Sequence, residues 1–580
     1  MVRSTLGSIK NLLLKEQNEI ISAVSMLMVL SLVTKITGMV FLTLVARQFG
    51  ASTETDKFYL ASVVPEMITN IILLGAISGA IIPIFVKLRE DKGDAEFLKS
   101  FSSTMNTAML AFVVLSIAAA LFSRELVPFA INLSGGGALD DPETINEVVW
   151  MMRVMLIPQI ILGISAFIST SLNIYQRFII PQLAPLFFNL GKIAGVLLIV
   201  PLMDGSVWGL IWGSLLGSVL HLLVQLPLVW HLRLRFHIFL VNFKDRHFRE
   251  ALKLGAPRVV SLSVEQIASV IDSVIAIGLV RGSLTVYQLG VRLISIPLTL
   301  FGTTYSVAAF PTLSKLYAQG KHEEFGLLMN KILQQLFFLT IPVTVLLFVL
   351  RIPIVRLVYG ILGGNFTWED TLQVAWVVLF FSLGLAFETM RSALFRAYYA
   401  MHNSIIPLIS SVLVVTVGIV TGVLFTNYFS HFDQFTLRML YWDPELFLTK
   451  GDGAAGVGGL ALSSSLVFTL EFFFLVIVLV MKGTLRPLRP FVIQTGKKFL
   501  AGLVMLILSY AMLKLWDEIL NTARTLQLTV LTTTTIASSF MLYLWISFVL
   551  GVPEVELFVN YIARLLRRLK RPRSSQAVVQ

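Results

Sequence analysis

The chain has 580 residues, of which 56% are hydrophobic and only 13% are charged, whereas soluble domains carry about 25% charged residues. This composition excludes a soluble globular protein and predicts a polytopic membrane protein. The formal net charge of +12 does not indicate nucleic acid as a partner, because an excess of Lys and Arg is typical of the cytoplasmic loops of membrane proteins.

Long apolar runs recur from Ile20 to Leu550. They reach twenty or more residues without alternation, which predicts membrane-spanning helices and therefore an all-α fold. The first run is too long for the core of a signal peptide and follows Glu16 and Glu19, so we expect it to be a retained helix. We count about fourteen spans, with centres near residues 33, 72, 111, 160, 190, 219, 267, 299, 339, 383, 415, 469, 504 and 539.

Loop charges predict the orientation of these spans. The loop after span 3 is acidic, whereas the N-terminal segment and the segments after spans 6, 12 and 14 are basic. With an even number of spans all the basic segments fall on one side, which the positive-inside rule assigns to the cytoplasm together with both termini. The residues that carry this signal before the tail are Arg3, Lys10, Lys15, Arg233, Arg235, Lys244, Arg246, Arg249, Lys253, Lys482, Arg486, Arg489, Lys497 and Lys498.

The chain also contains an internal repeat. Residues 78–97 align without gaps on residues 306–325, and two shorter matches, FIIP with SIIP and GLIWGS with GLALSS, follow in the same order. Three matches in order indicate a duplication with six spans in each copy. An even number of spans gives both copies the same orientation, which predicts two parallel six-helix repeats facing each other, as in transporters that work by alternating access.

This organisation predicts six segments along the chain. They are a cytoplasmic N-terminal segment (1–19), an N-lobe of helices 1–6 (20–232), a basic cytoplasmic linker (233–253), a C-lobe of helices 7–12 (254–482), two extra helices (483–551) and a basic cytoplasmic tail (552–580).

Charged residues inside the predicted spans are candidates for function, because a charge at the bilayer centre costs about 3 kcal/mol and usually faces a wet cavity or a partner. Arg258, Glu265 and Asp272 follow one another at intervals of seven residues and therefore share one stripe of span 7. Lys35 in span 1 and Arg292 in span 8 belong to the helices that the repeat places between the lobes. A cavity that holds both cations suits a phosphate headgroup.

For most of the other charged residues in the spans, a structural role is also possible. Arg153 and Lys192 are expected to extend toward a membrane–water interface. For Glu265 and Asp272, the alternative to a functional role is pairing with cations within the lobe. Glu388 and Arg391 are three residues apart and are expected to pair. The remaining candidates are Glu66 in span 2 and Glu471 in span 12.

The sequence shows no catalytic constellation. It has no phosphate-binding loop and no HExxH spacing, and it lacks cysteine, which excludes thiolate metal sites. We therefore expect a transporter without enzymatic activity and without a cofactor, driven by an ion gradient, the membrane potential or the substrate gradient.

Five blocks in the chain resemble the MurJ (MviN) lipid II flippases of the multidrug/oligosaccharidyl-lipid/polysaccharide exporter superfamily. They occur in the family's order, from about residue 20 to about residue 480, and read VARQFGASTETDKFYLA, LNIYQRFIIPQLAPLFFN, VQLPLVW, GVRLISIP and FPTLSKLYAQG. The resemblance implies a V-shaped pair of six-helix lobes in the bacterial inner membrane, with two extra helices forming a groove for a prenyl tail. It also implies export of the peptidoglycan precursor lipid II from the cytoplasmic to the outer leaflet.

The resemblance also implies site residues. Arg292 stands at the family's span 8 arginine, Lys35 stands where members have a span 1 arginine, and Arg47 and Asp56 match residues at the end of the first helix and after it. With Glu66, these five residues form the predicted headgroup cavity. Two further family cations are replaced, by Phe41 and Thr69. Some members bind sodium in the second lobe, where Asp272 could match an acidic ligand, but span 11 offers no carboxylate or amide.

Other functions remain open at this stage. The chain could export a different polyprenyl-pyrophosphate oligosaccharide, which the replacement of two cations favours. A small-molecule antiporter for cations would require an acidic cavity, and a membrane scaffold without transport would recruit partners through the basic linker and tail. The expected partners are a lipid-linked oligosaccharide, anionic membrane lipids and, by family, cell-wall synthesis proteins.

Overall fold

The computed structural model describes residues 20–74, 81–135, 139–237, 239–243, 245–431, 453–485 and 488–556. Every regular element in this part of the chain is helical, which confirms the predicted all-α class. The N-terminal segment, most of the tail and Lys244 and Arg486 lie outside the described residues. The helices are α1 (Ile20–Phe49), α2 (Thr53–Thr69), α3 (Ile81–Leu121), α4 (Ser123–Leu133), α5 (Pro142–Ile174), α6 (Ile179–Ala194), α7 (Trp208–Leu223), α8 (Leu226–His231), α9 (Arg246–Ile277), α10 (Ser283–Pro297), α11 (Thr304–Ala318), α12 (His322–Val349), α13 (Arg351–Val355), α14 (Trp368–Ala400), α15 (Ile405–Ser430), α16 (Gly456–Met481), α17 (Leu488–Ile519) and α18 (Thr525–Val549).

Twelve segments among the described residues are long and apolar enough to cross a membrane. The predicted number of about fourteen is not confirmed by this criterion. The helices at predicted spans 2 and 7, α2 and α9, are present but do not belong to the twelve. Helix α2 has only 17 residues, and several side chains in the first half of α9 lie outside the described residues, so this criterion does not test whether either helix spans the membrane.

The two long aligned segments of the internal repeat have the same local structure. Helix α3 is interrupted at Gly93, whose φ of 80° and ψ of 177° are not helical. In the second copy, α11 ends and α12 begins around Gly320, which has a φ of 71°. The phenylalanines that close the two aligned segments, Phe97 and Phe325, are both fully buried. The duplicated sequence therefore encodes a helix, a glycine break and a second helix in each copy.

The chain divides into two compact units. One draws its described residues from Met1–Leu293, Val358–Val377 and Ser404–Val467, and the other draws them from Ile294–Leu357, Val378–Asn403 and Phe468–Gln580. We call them unit 1 and unit 2. The predicted basic linker belongs to unit 1, where α9 already begins at Arg246, so its last residues are helical. Asp245 caps this helix by accepting hydrogen bonds from the amides of His247 and Phe248.

Small residues pack α6 and α7 of unit 1 together. Gly209, Gly213 and Gly217 recur every fourth residue on α7, and they face Val200, Gly195 and the Phe188–Gly191 turn. A Cβ atom on Gly213 would lie 2.7 Å from the Cα of Gly195, so only glycine permits this approach. Without a hydrophobic driving force between helices in lipid, close backbone packing of this kind is a main source of helix association.

Unit 2 satisfies its charges internally. Lys498 of α17 is fully buried, and its ammonium lies 3.0 Å from a carboxylate oxygen of Glu554 and donates hydrogen bonds to the backbone and side-chain oxygens of Gln334 on α12. The sequence predicts that Lys498 belongs to a basic segment on the cytoplasmic side, but in the structure its side chain is buried between helices. Arg391 lies 3.7 Å from buried Glu471 of α16, eighty residues away, and not only near Glu388.

In unit 1, the carboxylate of Asp56 on α2 caps the N-terminus of α10. It accepts hydrogen bonds from the amides of Gly282 (2.6 Å) and Thr285 (2.8 Å) and from the hydroxyl of Thr285 (2.6 Å). Asp56 is buried, so these contacts replace its hydration. Gly282 has a φ of 82°, and a Cβ atom there would collide with the carbonyl of Ala51. The approach of α10 to α2 therefore requires both the aspartate and the glycine.

We expect Gly213→Ala to destabilise the protein by about 1–3 kcal/mol, because the new methyl group must push α6 away from α7. The matched control is Gly496→Ala in α17, where a Cβ atom meets nothing within 4 Å and alanine is the better helix former. Thermal unfolding in detergent should show a lower midpoint for Gly213→Ala and an equal or higher midpoint for the control. Equal midpoints for the two variants would contradict the packing argument.

We expect Asp56→Asn to loosen the first turn of α10 and to lower the free energy of unfolding by about 1–2 kcal/mol. The asparagine side chain lacks the negative charge, and its NH₂ group is a donor that cannot accept hydrogen bonds from the backbone amides. Hydrogen exchange at Gly282 and Thr285 should become faster. Glu54→Gln is the control on the same helix turn, since Glu54 is exposed in its ion pair with Lys57. Unchanged exchange in Asp56→Asn would disprove the cap.

Candidate functional site

A polar cavity of about 190 Å³ lies within unit 1 between α2, α9 and α10. Its polar lining includes Glu66, Asn70, Gln266, Ser269, Gln288 and Arg292. The amide of Asn70, in the π-helical turn after α2, donates a hydrogen bond of 3.0 Å to Gln266 of α9. Since π-helical turns often mark functional sites, and since carboxylate, guanidinium and amides converge here, this cavity is the strongest candidate site in unit 1.

Glu66 and Arg292 form the charged centre of the cavity. A guanidinium nitrogen of Arg292 lies 3.6 Å from a carboxylate oxygen of Glu66, and the two side chains are 47% and 46% exposed. An ion pair that is half open to water contributes only about 0–1 kcal/mol. Arg292 can therefore exchange Glu66 for an incoming anion at little cost.

Lys35 contributes a second cation from α1. It is exposed, and it lies within electrostatic range of Arg292, so the two positive charges repel each other. An anion placed between them would relieve that repulsion. Of the five residues predicted for the headgroup cavity, Glu66 and Arg292 line it, and Lys35 lies within electrostatic range of Arg292 without lining it.

The other two predicted residues occupy a different position. Asp56 caps α10, as described above. Arg47 is exposed at the end of α1, where its carbonyl accepts a hydrogen bond of 2.8 Å from the amide of Asn365. The side-chain amide of Asn365 also donates to the carbonyl of Gln48. Neither Arg47 nor Asp56 lines the cavity: the backbone of Arg47 anchors the end of α1, and the side chain of Asp56 anchors the start of α10.

The predicted stripe on α9 is only partly described. Asp272 accepts a hydrogen bond of 2.9 Å from the hydroxyl of Tyr287 on α10. Glu265 is partly buried on the same helix, and the side chain of Arg258 lies outside the described residues. No cluster of three or more His, Cys, Asp or Glu residues in the described part of the chain could hold a metal ion. Asp272 as a sodium ligand therefore stays a prediction.

The sequence predicts that the side chain of Lys192 on α6 extends toward a membrane–water interface. In the structure its ammonium lies 3.9 Å from the centroid of the Phe41 ring and 5.4 Å from that of Phe188. The spacing of Phe188 and Lys192, one helical turn apart, is the only sequence signal for this arrangement. Thr69, the other position that lacks a family cation, donates a hydrogen bond of 2.8 Å to Gln159.

The chain matches known proteins in both sequence and structure. The sequence profile of the family described as lipid II flippase MurJ matches residues 45–433. A probable lipid II flippase MurJ from Thermotoga maritima is 29% identical over 463 residues, which cover 77% of this chain and 91% of that protein. A probable lipid II flippase MurJ from Buchnera aphidicola is 26% identical over 424 residues, covering 73% of this chain and 81% of that protein.

Solved structures agree with these sequence matches. A lipid II flippase MurJ in an inward closed conformation superposes with a TM-score of 0.68 at 25% identity and covers 90% of this chain and 97% of its own. A MATE family multidrug transporter of the MOP superfamily, at 13% identity and a TM-score of 0.59, shares the fold alone. The profile match covers two thirds of the chain, and the chain therefore belongs to the lipid II flippase MurJ family.

Proposed function

We propose that this multi-pass inner membrane protein flips lipid II from the cytoplasmic to the outer leaflet by alternating access. The observation that supports the proposal most directly is the polar cavity of unit 1, which Arg292 and Glu66 line and near which Lys35 adds a second positive charge. The relatives that match most of this chain carry the name lipid II flippase, and the family is one of transporters.

The cavity chemistry suits a lipid with a pyrophosphate headgroup. Moving an anionic headgroup through the hydrocarbon region is costly unless cations and polar groups replace its water. Arg292 offers a planar set of donors for phosphate oxygens, and Lys35 adds an ammonium. Asn70, Gln266 and Gln288 provide further donors that fit the sugar and peptide part of such a lipid.

The ion pair of Arg292 with Glu66 gives the cavity two states. In the empty cavity the carboxylate partly neutralises the guanidinium, and in the loaded cavity the phosphate takes its place. This exchange avoids leaving Arg292 without a counter-charge at any stage, which lowers the cost of returning the empty carrier. With the predicted orientation, in which the basic segments and both termini are cytoplasmic, we propose that the headgroup is loaded from the cytoplasmic leaflet.

A second candidate is export of another polyprenyl-pyrophosphate oligosaccharide. Phe41 is only 3% exposed and Thr69 is buried and bonded to Gln159, so neither offers a cation to the headgroup. These departures concern the headgroup contacts rather than the fold. Anionic membrane lipids and cell-wall synthesis proteins remain proposed partners.

The decisive experiment is rescue of a bacterium depleted of its resident lipid II flippase. Expression of this chain should restore growth, and Arg292→Ala should abolish the rescue, because phosphate loses its guanidinium contacts. Arg292→Lys should rescue partly, since it retains charge without the planar donor set. Arg124→Ala, an exposed arginine of α4, is the matched control and should rescue fully.

Absence of rescue by the unchanged chain, with normal amounts in the membrane, would disprove lipid II as the substrate. Rescue of a strain that lacks a flippase for another polyprenyl-pyrophosphate oligosaccharide would then support the second candidate. Full rescue by Arg292→Ala would show that the cavity between α2, α9 and α10 does not bind the headgroup.

Glu66→Gln should tighten binding of a pyrophosphate lipid and slow the transport cycle. The variant removes the competing carboxylate, so Arg292 stays available to phosphate and releases it more slowly. Binding of undecaprenyl pyrophosphate to the purified protein should strengthen several-fold while the rate of flipping in proteoliposomes falls. Weaker binding would mean that Glu66 contacts the substrate directly rather than competing with it.

A further inference from the structure

Lys192 is a cation of α6 whose ammonium lies against aromatic rings rather than a carboxylate. The ammonium lies above the buried ring of Phe41 at 3.9 Å and near the ring of Phe188 at 5.4 Å. Among the described residues no carboxylate lies within 4.0 Å of it. An aromatic face fixes the position of a cation but leaves its positive charge in place. The rings therefore do not neutralise the positive charge of Lys192.

The position of Lys192 is fixed on both sides of α6. On one side, the side-chain amide of Asn189 donates to the carbonyl of Thr34 (2.9 Å) and to the hydroxyl of Thr37 (3.2 Å), which docks α6 on α1. Lys192 follows one turn later on this side and reaches Phe41, one turn along α1. On the other side, Gly191 and Gly195 pack against the glycines of α7.

Lys192 also belongs to the electrostatic environment of the candidate cavity. It lies within electrostatic range of the carboxylate of Glu66 and of the guanidinium of Arg292, as Lys35 lies within range of Arg292. Four helices of unit 1 thus bring three cations and one carboxylate together. These three cations and one carboxylate carry a net charge of +2 when all four are ionised, which favours an anionic ligand.

We propose that Lys192 is a specificity residue for the headgroup of the lipid substrate. Its ammonium supplies, from α6, the positive charge that the phenylalanine at position 41 of α1 lacks. Together, Lys192 and Arg292 bind the two phosphates of a pyrophosphate lipid, whereas a monophosphate lipid requires only one of them. The inference rests on the proposed function for the class of lipid, and the experiment below measures binding separately from flipping.

The test uses the purified full-length protein with undecaprenyl pyrophosphate and undecaprenyl phosphate as probes. Lys192→Met should weaken binding of the pyrophosphate lipid at least about tenfold and change binding of the monophosphate lipid much less. Lys192→Arg, which keeps the charge, should bind both lipids nearly as well as the unchanged chain. In Phe41→Arg/Lys192→Met the charge moves from α6 to α1, and binding of the pyrophosphate lipid should recover.

Lys315→Met is the matched control, because it removes an exposed lysine of α11 and should change neither affinity. Equal affinities of Lys192→Met and the unchanged chain for the pyrophosphate lipid would overturn the proposal, as would an equal loss for both lipids or no binding by the unchanged chain. Thermal unfolding identifies a double variant that does not fold, and the comparison of Lys192→Met with Lys192→Arg then decides. A chain that fails the rescue assay but shows the Lys192-dependent preference would disprove lipid II flipping and leave this inference standing.

Discussion

The contact of Asp56 with the N-terminus of α10 determines the geometry of the candidate site. Helix α2 touches α10 twice, through the cap at Asp56 and through the ion pair of Glu66 with Arg292. The first contact is buried and strong, whereas the second is half exposed and weak. The cap therefore sets the register of α10, and Arg292, two turns further along, reaches the cavity as a consequence. Asp56, which the sequence assigns to the headgroup cavity, instead positions the helix that carries Arg292.

Charged residues in this protein fall into two groups according to their partners. In unit 2, Lys498 lies against the carboxylate of Glu554, and Arg391 lies near the carboxylate of Glu471 as well as two aromatic rings. In unit 1, Lys192 lies against aromatic rings, and Arg292 lies in an ion pair open to the cavity. A carboxylate partner offsets the charge of a buried cation, whereas an aromatic ring leaves the charge of Lys192 in place. The chemistry of its partners, more than its depth in the bilayer, distinguishes a charged residue with a structural role from one with a proposed functional role.

The polar character of α2 and α9 connects the fold to the proposed function. Helices that face only lipid can be uniformly apolar, but a helix that lines a headgroup cavity must carry groups that replace water. Glu66 on α2, Asn70 in the π-helical turn after it and Gln266 on α9 are such groups in the cavity between α2, α9 and α10. The glycine contacts between α6 and α7 compensate elsewhere in unit 1 by tight packing.

The sequence by itself determined the membrane class, the all-helical fold, the internal repeat and the family, because hydrophobic run length, spacing and local motifs are properties of the chain. It also selected Lys35, Glu66 and Arg292, since charges in apolar runs are rare. Only the tertiary structure decided that Asp56 caps α10, that Lys498 is buried against Glu554, that Tyr287 engages Asp272 and that Lys192 reaches Phe41. Each of these is a contact between helices, and sequence periodicity shows which face a residue occupies but not which helix packs against that face.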